Sequence, residues 1–182
     1  IEVVMVITKT DKSAGSAQAL GDIYRLAGYP VFPVDSLTGD GVGALRAWID
    51  GNLGSRIAAF SGASGVGKST LLNRLFPDLR LETGDLSERI MRGKNTTRAV
   101  ALYRTGDGFL ADTPGFTMLD FERFDFFDLD GLRPAFREFA PFVGDCRYRK
   151  CTHTKEDGCA ILSAVSHGQI APSRHRSYAQ LY

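Results

Sequence analysis

The chain has 182 residues, 43% of them apolar and 24% charged, with a formal net charge of +1. That is material for one sizeable core, and it excludes collagen, low-complexity disorder and a disulfide-dense secreted scaffold. No apolar run reaches the roughly 18 to 20 residues of a membrane helix, and the start, IEVVMVITKTD, lacks the basic flank and small-residue cleavage site of a signal peptide.

The N-terminal half alternates strands with helices. Ile1–Ile7, apolar but for Glu2, is a run of strand length. Ala17–Ala27 carries helical spacing at Ala17, Leu20, Ile23, Tyr24 and Ala27, with Gly28 placed to stop it. Tyr29–Val34 reads as a short strand, Gly43–Leu53 as a helix with Leu45, Trp48, Ile49 and Leu53 on one face, and Ile57–Phe60 as a short buried strand. Thr70–Phe76 begins a helix that Pro77 ends. Val100–Tyr103 and Phe109–Ala111 read as paired strands around the turn Thr105-Gly106-Asp107-Gly108. This alternation predicts a parallel-rich α/β sheet. Beyond Gly131 the pattern is helical, then cysteine-bearing, then helical again.

Residues 62–69 read GASGVGKS and fit G-x-x-x-x-G-K-[ST]. The motif stands after a strand and before a helix, where its chemistry needs it. Gly62, Gly65 and Gly67 permit a backbone that turns its N–H groups toward phosphate, and Ala63, Ser64, Val66 and Thr70 complete the loop and the helix start. The helix N-terminus adds partial positive charge. Lys68 reaches the terminal phosphates, and the Ser69 hydroxyl is a natural Mg²⁺ ligand.

Two further segments follow in a telling order. Asp112-Thr113-Pro114-Gly115 can hold Mg²⁺ through water at Asp112 and offer the Gly115 N–H to a γ-phosphate. Gly93-Lys94-Asn95-Thr96-Thr97-Arg98 is a polar loop with hydroxyls suited to closing over the metal. At the end of the first strand stands Thr8-Lys9-Thr10-Asp11, close to the N-K-x-D of guanine-nucleotide sites, with Thr8 in place of asparagine. A carboxylate at Asp11 can accept two hydrogen bonds from guanine N1 and N2, which adenine does not offer, and the Lys9 stem can stack on the base. Val34-Asp35-Ser36-Leu37-Thr38-Gly39 occupies the position of the second base-contacting loop. In Ras-like GTPases these base motifs follow the phosphate loop. Here they precede it, as in a circular permutation, which the neighbouring ends of a compact α/β domain allow.

All three cysteines fall close together, with a histidine, as Cys146, Cys151, His153 and Cys159 in the spacing C-x4-C-x-H-x5-C. Three thiolates and one imidazole make a closed tetrahedral set for structural zinc, with no open position for catalysis. Charge changes along the same stretch. From Asp107 to Gly131 seven acids face one base, whereas from Arg133 to Tyr182 eight Lys and Arg outnumber four acids. Arg147, Arg149, Lys150 and Lys155 beside the cysteines fit contact with RNA phosphates as well as they fit a solvated surface.

With its permuted motif order, GASGVGKST, GKNTTR, DTPGF and C-x4-C-x-H-x5-C, the chain resembles the RsgA (YjeQ) family, bacterial GTPases of late small-subunit maturation. The resemblance implies an α/β fold: a circularly permuted Ras-like P-loop GTPase domain over residues 1–131 and a small, mainly helical zinc-binding domain over 132–182. It implies GTP/GDP, Mg²⁺ and Zn²⁺ as cofactors and the small ribosomal subunit with its rRNA as partner. A cytoplasmic, monomeric protein without membrane association is expected. By motif, guanine recognition falls to Thr8, Lys9, Thr10 and Asp11, phosphate binding to Gly62 through Thr70, Mg²⁺ to Ser69 with Thr97, and zinc to the cysteine–histidine set. Lys68, Ser69 and Thr97 are the expected catalytic groups. Asn95 joins them where the family carries a histidine in a GRHTTT-like stretch. The family's N-terminal OB-fold, and the strand and helix before the guanine motif, are not in the sequence. The chain is therefore expected to come from a longer protein, with a gap beside the phosphate-loop strand. Phe116 follows Gly115 where Ras-like proteins place a water-orienting glutamine, which predicts slow basal turnover stimulated by a partner. The alternative is a nucleotide-gated rRNA-binding module with vestigial hydrolysis.

Overall fold

The computed structural model describes residues 1–63, 65–77, 101–112 and 129–182. Along the chain run β1 (Met5–Ile7), α1 (Ala14–Leu26), β2 (Val31–Pro33), α2 (Val42–Asn52), β3 (Ile57–Ala59), α3 (Lys68–Leu75), β4 (Ala101–Thr105), β5 (Gly108–Asp112), α4 (Leu129–Ala135), a 3-10 segment Arg137–Phe142, α5 (Ala160–Ser166) and α6 (Pro172–Leu181). β1 and β2 form one two-stranded sheet, and a second sheet has the order β3-β5-β4. β3 runs parallel to β5, with Ala58 opposite Leu110, while β4 runs antiparallel to β5, with Tyr103 opposite Leu110. By internal contacts the chain forms two compact units. One holds Val6–Ala14 and Phe32–Asp120, the other Ile1–Met5, Gly15–Val31 and Phe121–Tyr182.

Several element ends are set by local chemistry. Gly28, at φ 81°, closes α1 in a Schellman arrangement in which Tyr29 N–H donates to the Tyr24 carbonyl and Gly28 N–H to that of Arg25. α2 buries Val42, Leu45 and Ile49 along one stripe, with Trp48 half-buried against Phe32. That stripe packs with Leu71, Leu72 and Leu75 of α3 and with Leu110 of β5. The core of the first unit thus sits directly behind the phosphate loop. The second unit has its own cluster: Leu132, Phe136, Phe139, Cys159, Ile161, Ala164, Ile170 and Tyr178. Its Arg174 donates to the buried Glu138 at 2.6 Å and lies over the Phe136 ring.

β1, β2 and β3 are shorter than the apolar runs predict, whereas β4 and β5 are longer. Only Met5–Ile7 of the expected Ile1–Ile7 strand pairs, because the ladder with the second strand starts at Met5 N–H to Pro30 O and ends at Val34 N–H to Ile7 O. β3, expected to be buried, leaves Ile57 61% exposed. A continuous apolar run reads as a strand covered on both faces, yet among the described residues β3 pairs with β5 alone. The one described sheet with three strands carries one parallel and one antiparallel pairing rather than a parallel majority. α3 begins at Lys68, two residues ahead of the expected start at Thr70, because Gly67 in the left-handed region opens the helix there.

Gly41 opens α2 at φ 73°, and a Cβ there would stand 2.1 Å from the Pro33 carbonyl oxygen. That neighbour is backbone and cannot step aside. Gly41→Ala is expected to destabilise the chain by roughly 2–4 kcal/mol, while Leu37→Ala, at an exposed side chain, shifts it by less than about 0.5 kcal/mol. Denaturant midpoints at constant slope measure both.

Candidate functional site

Between β3 and α3 the chain turns through the glycines of the motif. Gly65 has φ 72° and Gly67 φ 101°, conformations that side chains strain to adopt. At Gly62 an added Cβ would crowd Val66 Cγ1 at 3.2 Å. Lys68, first residue of α3, folds back so that its Nζ donates to the carbonyls of Gly62 at 2.6 Å and Ala63 at 3.0 Å. Its ammonium is therefore held inside the loop by the loop's own backbone. Ser69 and Thr70 follow in the first turn of α3, with Ser69 half-buried and Thr70 exposed.

The turn after β1 is strapped onto this loop. Thr8 Oγ1 donates to Val66 O at 2.7 Å, and Lys9 Nζ donates to Gly65 O at 2.6 Å. Threonine thus supplies a donor from the position usually given to asparagine. Lys9 itself sits at φ 58°, a left-handed conformation uncommon outside glycine, and precedes the 3-10 turn Thr10–Lys12. Asp11 in that turn is exposed, and its carboxylate makes no hydrogen bond or ion pair among the described residues. The residues expected to read a base and those expected to hold phosphate are joined by two bonds spanning 58 and 56 positions.

The second expected base loop is a closed turn. Buried Asp35 accepts hydrogen bonds at Oδ1 from Leu37 N–H at 2.7 Å and Thr38 N–H at 3.2 Å, which leaves Leu37 outward. Asp35 shapes this loop. An aspartate favours such a turn because its carboxylate can accept from backbone amides two and three residues on. Arg46 of α2 was also missed. It donates to Leu75 O at 2.6 Å and lies over the Phe76 ring, closing the far end of α3. Ser64, Asn95, Thr97 and Gly115 lie outside the described residues, as does Phe116. Asp112 is described as the last residue of β5.

The second unit gathers the cysteine–histidine set. One ligand atom from each of Cys146, Cys151, His153 and Cys159 lies within 4.8 Å of all the others. His153 Nδ1 is 3.5 Å from both Cys146 Sγ and Cys159 Sγ. A tetrahedral ion with Zn–S of about 2.3 Å and Zn–N of about 2.0–2.1 Å has N···S edges of about 3.5 Å, so the donors present fit zinc held through Nδ1. His153 is buried and its Nε2 has no hydrogen-bond partner among the described residues. Loss of hydration lowers its pKa, which keeps the imidazole in the neutral form a metal needs. Burial pushes the Cys151 thiol up to about 12, with the neighbouring Cys159 and Cys146 adding to the rise. A bound cation reverses that order by taking the thiolate directly. The Ala160 N–H donates to Cys146 Sγ at 3.4 Å, a stabilising contact for a negative sulfur.

Glu156 organises the loop between these ligands. Desolvation works against its charge. Even so, its pKa is lowered to about 2 by the Thr152 hydroxyl and by the backbone amides of Thr152 and Lys155. Its Oε1 accepts from Thr152 N–H at 2.7 Å and from the Thr152 hydroxyl, and its Oε2 from Thr154 N–H at 3.0 Å and Lys155 N–H at 3.1 Å. The sequence showed an acid inside the knuckle, but only the backbone shows it facing inward. No helix among the described residues is long and apolar enough to cross a membrane.

The chain is similar to known proteins over nearly its whole length. The family model for the RsgA GTPase matches residues 1–122. The small ribosomal subunit biogenesis GTPase RsgA of Bacillus pumilus is 43% identical over 176 residues, 97% of this chain and 57% of the relative. That of Geobacillus thermodenitrificans is 42% identical over 180 residues, covering 96% and 59%. Among solved structures, YjeQ from Thermotoga maritima superposes with a TM-score of 0.75 at 31% identity, covering 99% of this chain and 58% of that one. YloQ, a circularly permuted GTPase, gives 0.70 at 30%, covering 98% and 55%. The chain therefore spans less than two thirds of the length of these relatives.

The metal centre is tested directly. The purified chain is expected to carry about one Zn²⁺ by elemental analysis, and Cys159→Ser to carry essentially none. Glu156→Ala keeps all four ligands but is expected to weaken Zn²⁺ binding by about 10–100-fold in competition with a chelator.

Proposed function

The chain belongs to the RsgA GTPase family, and on that footing we propose that it is the nucleotide-binding and zinc-bearing part of a cytoplasmic, monomeric GTPase coupled to maturation of the small ribosomal subunit. The observation that carries the reading is the double strap from Thr8 and Lys9 to Val66 and Gly65. It ties a guanine-type turn to a phosphate loop in permuted order. Residues 1–131 serve as the GTPase domain and 132–182 as the zinc-bearing domain that meets rRNA through Arg147, Arg149, Lys150 and Lys155.

Phosphoryl transfer to water asks the protein mainly for positioning and charge neutralisation. Asp11 accepts hydrogen bonds from guanine N1 and N2, and Lys9 lies along the base. Amides of the loop from Gly62 to Gly67 and the start of α3 through Thr70 receive the phosphates. The Lys68 ammonium offsets charge gathering on the β,γ-bridge and γ-phosphate oxygens. Ser69 and Thr97 would hold Mg²⁺, with Asp112 supporting it through water, and the ion would supply further positive charge against the phosphates. Gly115 senses the γ-phosphate, and Asn95 orients the attacking water. An amide at Asn95 can hold a water but cannot take its proton, so basal hydrolysis is slow and a ribosomal partner completes the site.

GTP turnover of the full-length parent protein, with and without purified small ribosomal subunits, tests this. Stimulation by orders of magnitude is expected. Tight GDP binding without stimulation would favour the alternative, a nucleotide-gated rRNA-binding module with vestigial hydrolysis. Within the chain, Asp11→Ala is expected to weaken GDP binding by at least about 100-fold, since two charge-assisted hydrogen bonds are lost. Thr8→Val removes one neutral bond and is expected to cost about five- to tenfold, with preference for GDP over ADP retained. Titration with labelled GDP and ADP reads both.

A further inference from the structure

Helix α6 reaches back to the metal loop through two side chains one turn apart. His175 Nε2 donates to the His153 carbonyl at 2.7 Å, and Tyr178 Oη donates to the Thr152 carbonyl at 3.0 Å. These two carbonyls belong to the residues between and at the ligands Cys151 and His153. They sit on a backbone with little latitude, for His153 has φ 62°. On the other side of the loop Glu156 takes the amides of Thr152, Thr154 and Lys155. The loop's amides are thus bound from within the knuckle, and these two carbonyls from α6.

Tyr178 is buried and its ring packs on Phe136 at 5.3 Å and Phe139 at 5.0 Å. Phe139 in turn stands edge-on to the His153 ring at 6.5 Å. The position of α6 and the conformation of the ligand loop are therefore set by the same contacts.

We propose that His175 and Tyr178 are positioning residues of the metal centre, so that loss of the ion and release of α6 are one coupled event. The inference rests on the zinc reading of the cysteine–histidine set. Coupling between two equilibria is reciprocal: whatever factor the ion adds to docking of α6, docking adds to retention of the ion. A helix that merely covers the core would show no such coupling.

The test uses the intact chain loaded with Zn²⁺, which first establishes that it binds the ion. Transfer of Zn²⁺ to a chromogenic chelator is then timed. Tyr178→Phe keeps the ring contacts and loses the hydroxyl, and His175→Leu loses the ring donor. Each is expected to release Zn²⁺ about fivefold faster, the factor corresponding to one net hydrogen bond of about 1 kcal/mol. His175→Gln restores an N–H donor and is expected to fall back toward the unaltered rate. Arg176→Ala, at an exposed position on the same helix, is expected to leave the rate within about twofold. In parallel, hydrogen exchange of residues 177–182 is expected to rise at least about tenfold when Zn²⁺ is removed, ahead of any change over 129–139. Equal release from Tyr178→Phe, His175→Leu and Arg176→Ala would overturn the proposal. So would exchange that rises equally across 129–139 and 177–182, because the ion would then hold the whole cluster. A chain that takes up no Zn²⁺ would remove the zinc reading and the proposal with it.

Discussion

A loop that holds a ligand is irregular, so its carbonyls and amides lack the partners that a helix or sheet supplies, and buried ones must find them elsewhere. The phosphate loop finds such partners within the protein even though its described residues are half-buried or exposed. The carbonyls of Gly62, Ala63, Gly65 and Val66 are bound by Lys68, Lys9 and Thr8. Because a trans peptide is planar, its carbonyl and the following N–H point in opposite directions. Securing the Val66 carbonyl therefore aims the Gly67 amide, and the left-handed glycines let the chain take that path without side-chain strain. The core of α2 and α3 keeps the loop's helical end in place.

The same constraint is met independently in the second unit. There the amides of Thr152, Thr154 and Lys155 converge on one carboxylate, and the carbonyls of Thr152 and His153 are taken by α6. One loop is braced by cationic and hydroxyl donors around backbone oxygens. The other has an acceptor at its centre and donors outside. The difference follows the ligand. A phosphate needs backbone amides left for itself, whereas a metal takes side-chain sulfur and nitrogen and leaves backbone groups free to bond within the protein.

Features that depend on residue type at fixed spacing were legible in the sequence. Gly65 and Gly67 take left-handed conformations that favour glycine, and four metal-ligating side chains at such close spacing point to one shared ion. Gly28 as a helix stop was legible for the same reason and closes α1 as expected. Features that depend on a partner far along the chain were not. Nothing local says that Ile1–Val4 lacks a ladder or that Ile57 faces outward, because an apolar run records what a strand could bury and not what covers it. Glu156, His175 and Tyr178 read as ordinary polar and core residues until the backbone carries them to one loop.

Thr8 shows how far a motif can be read by role. A substitution from asparagine alters the residue name but keeps a short side chain with a hydrogen-bond donor at the end of β1. The bond to Val66 needs only that donor at 2.7 Å. Lys9 supplies the second contact from an adjacent residue, so the turn is fixed in orientation as well as in distance. Neither contact depends on which motif comes first in the chain. A planar base loop and a phosphate loop cooperate when they are held together in space, and two side-chain bonds to backbone oxygens do this whether the intervening residues run forward or have been permuted. Motif order is thus a record of ancestry, while the strap holds the two loops together in either order.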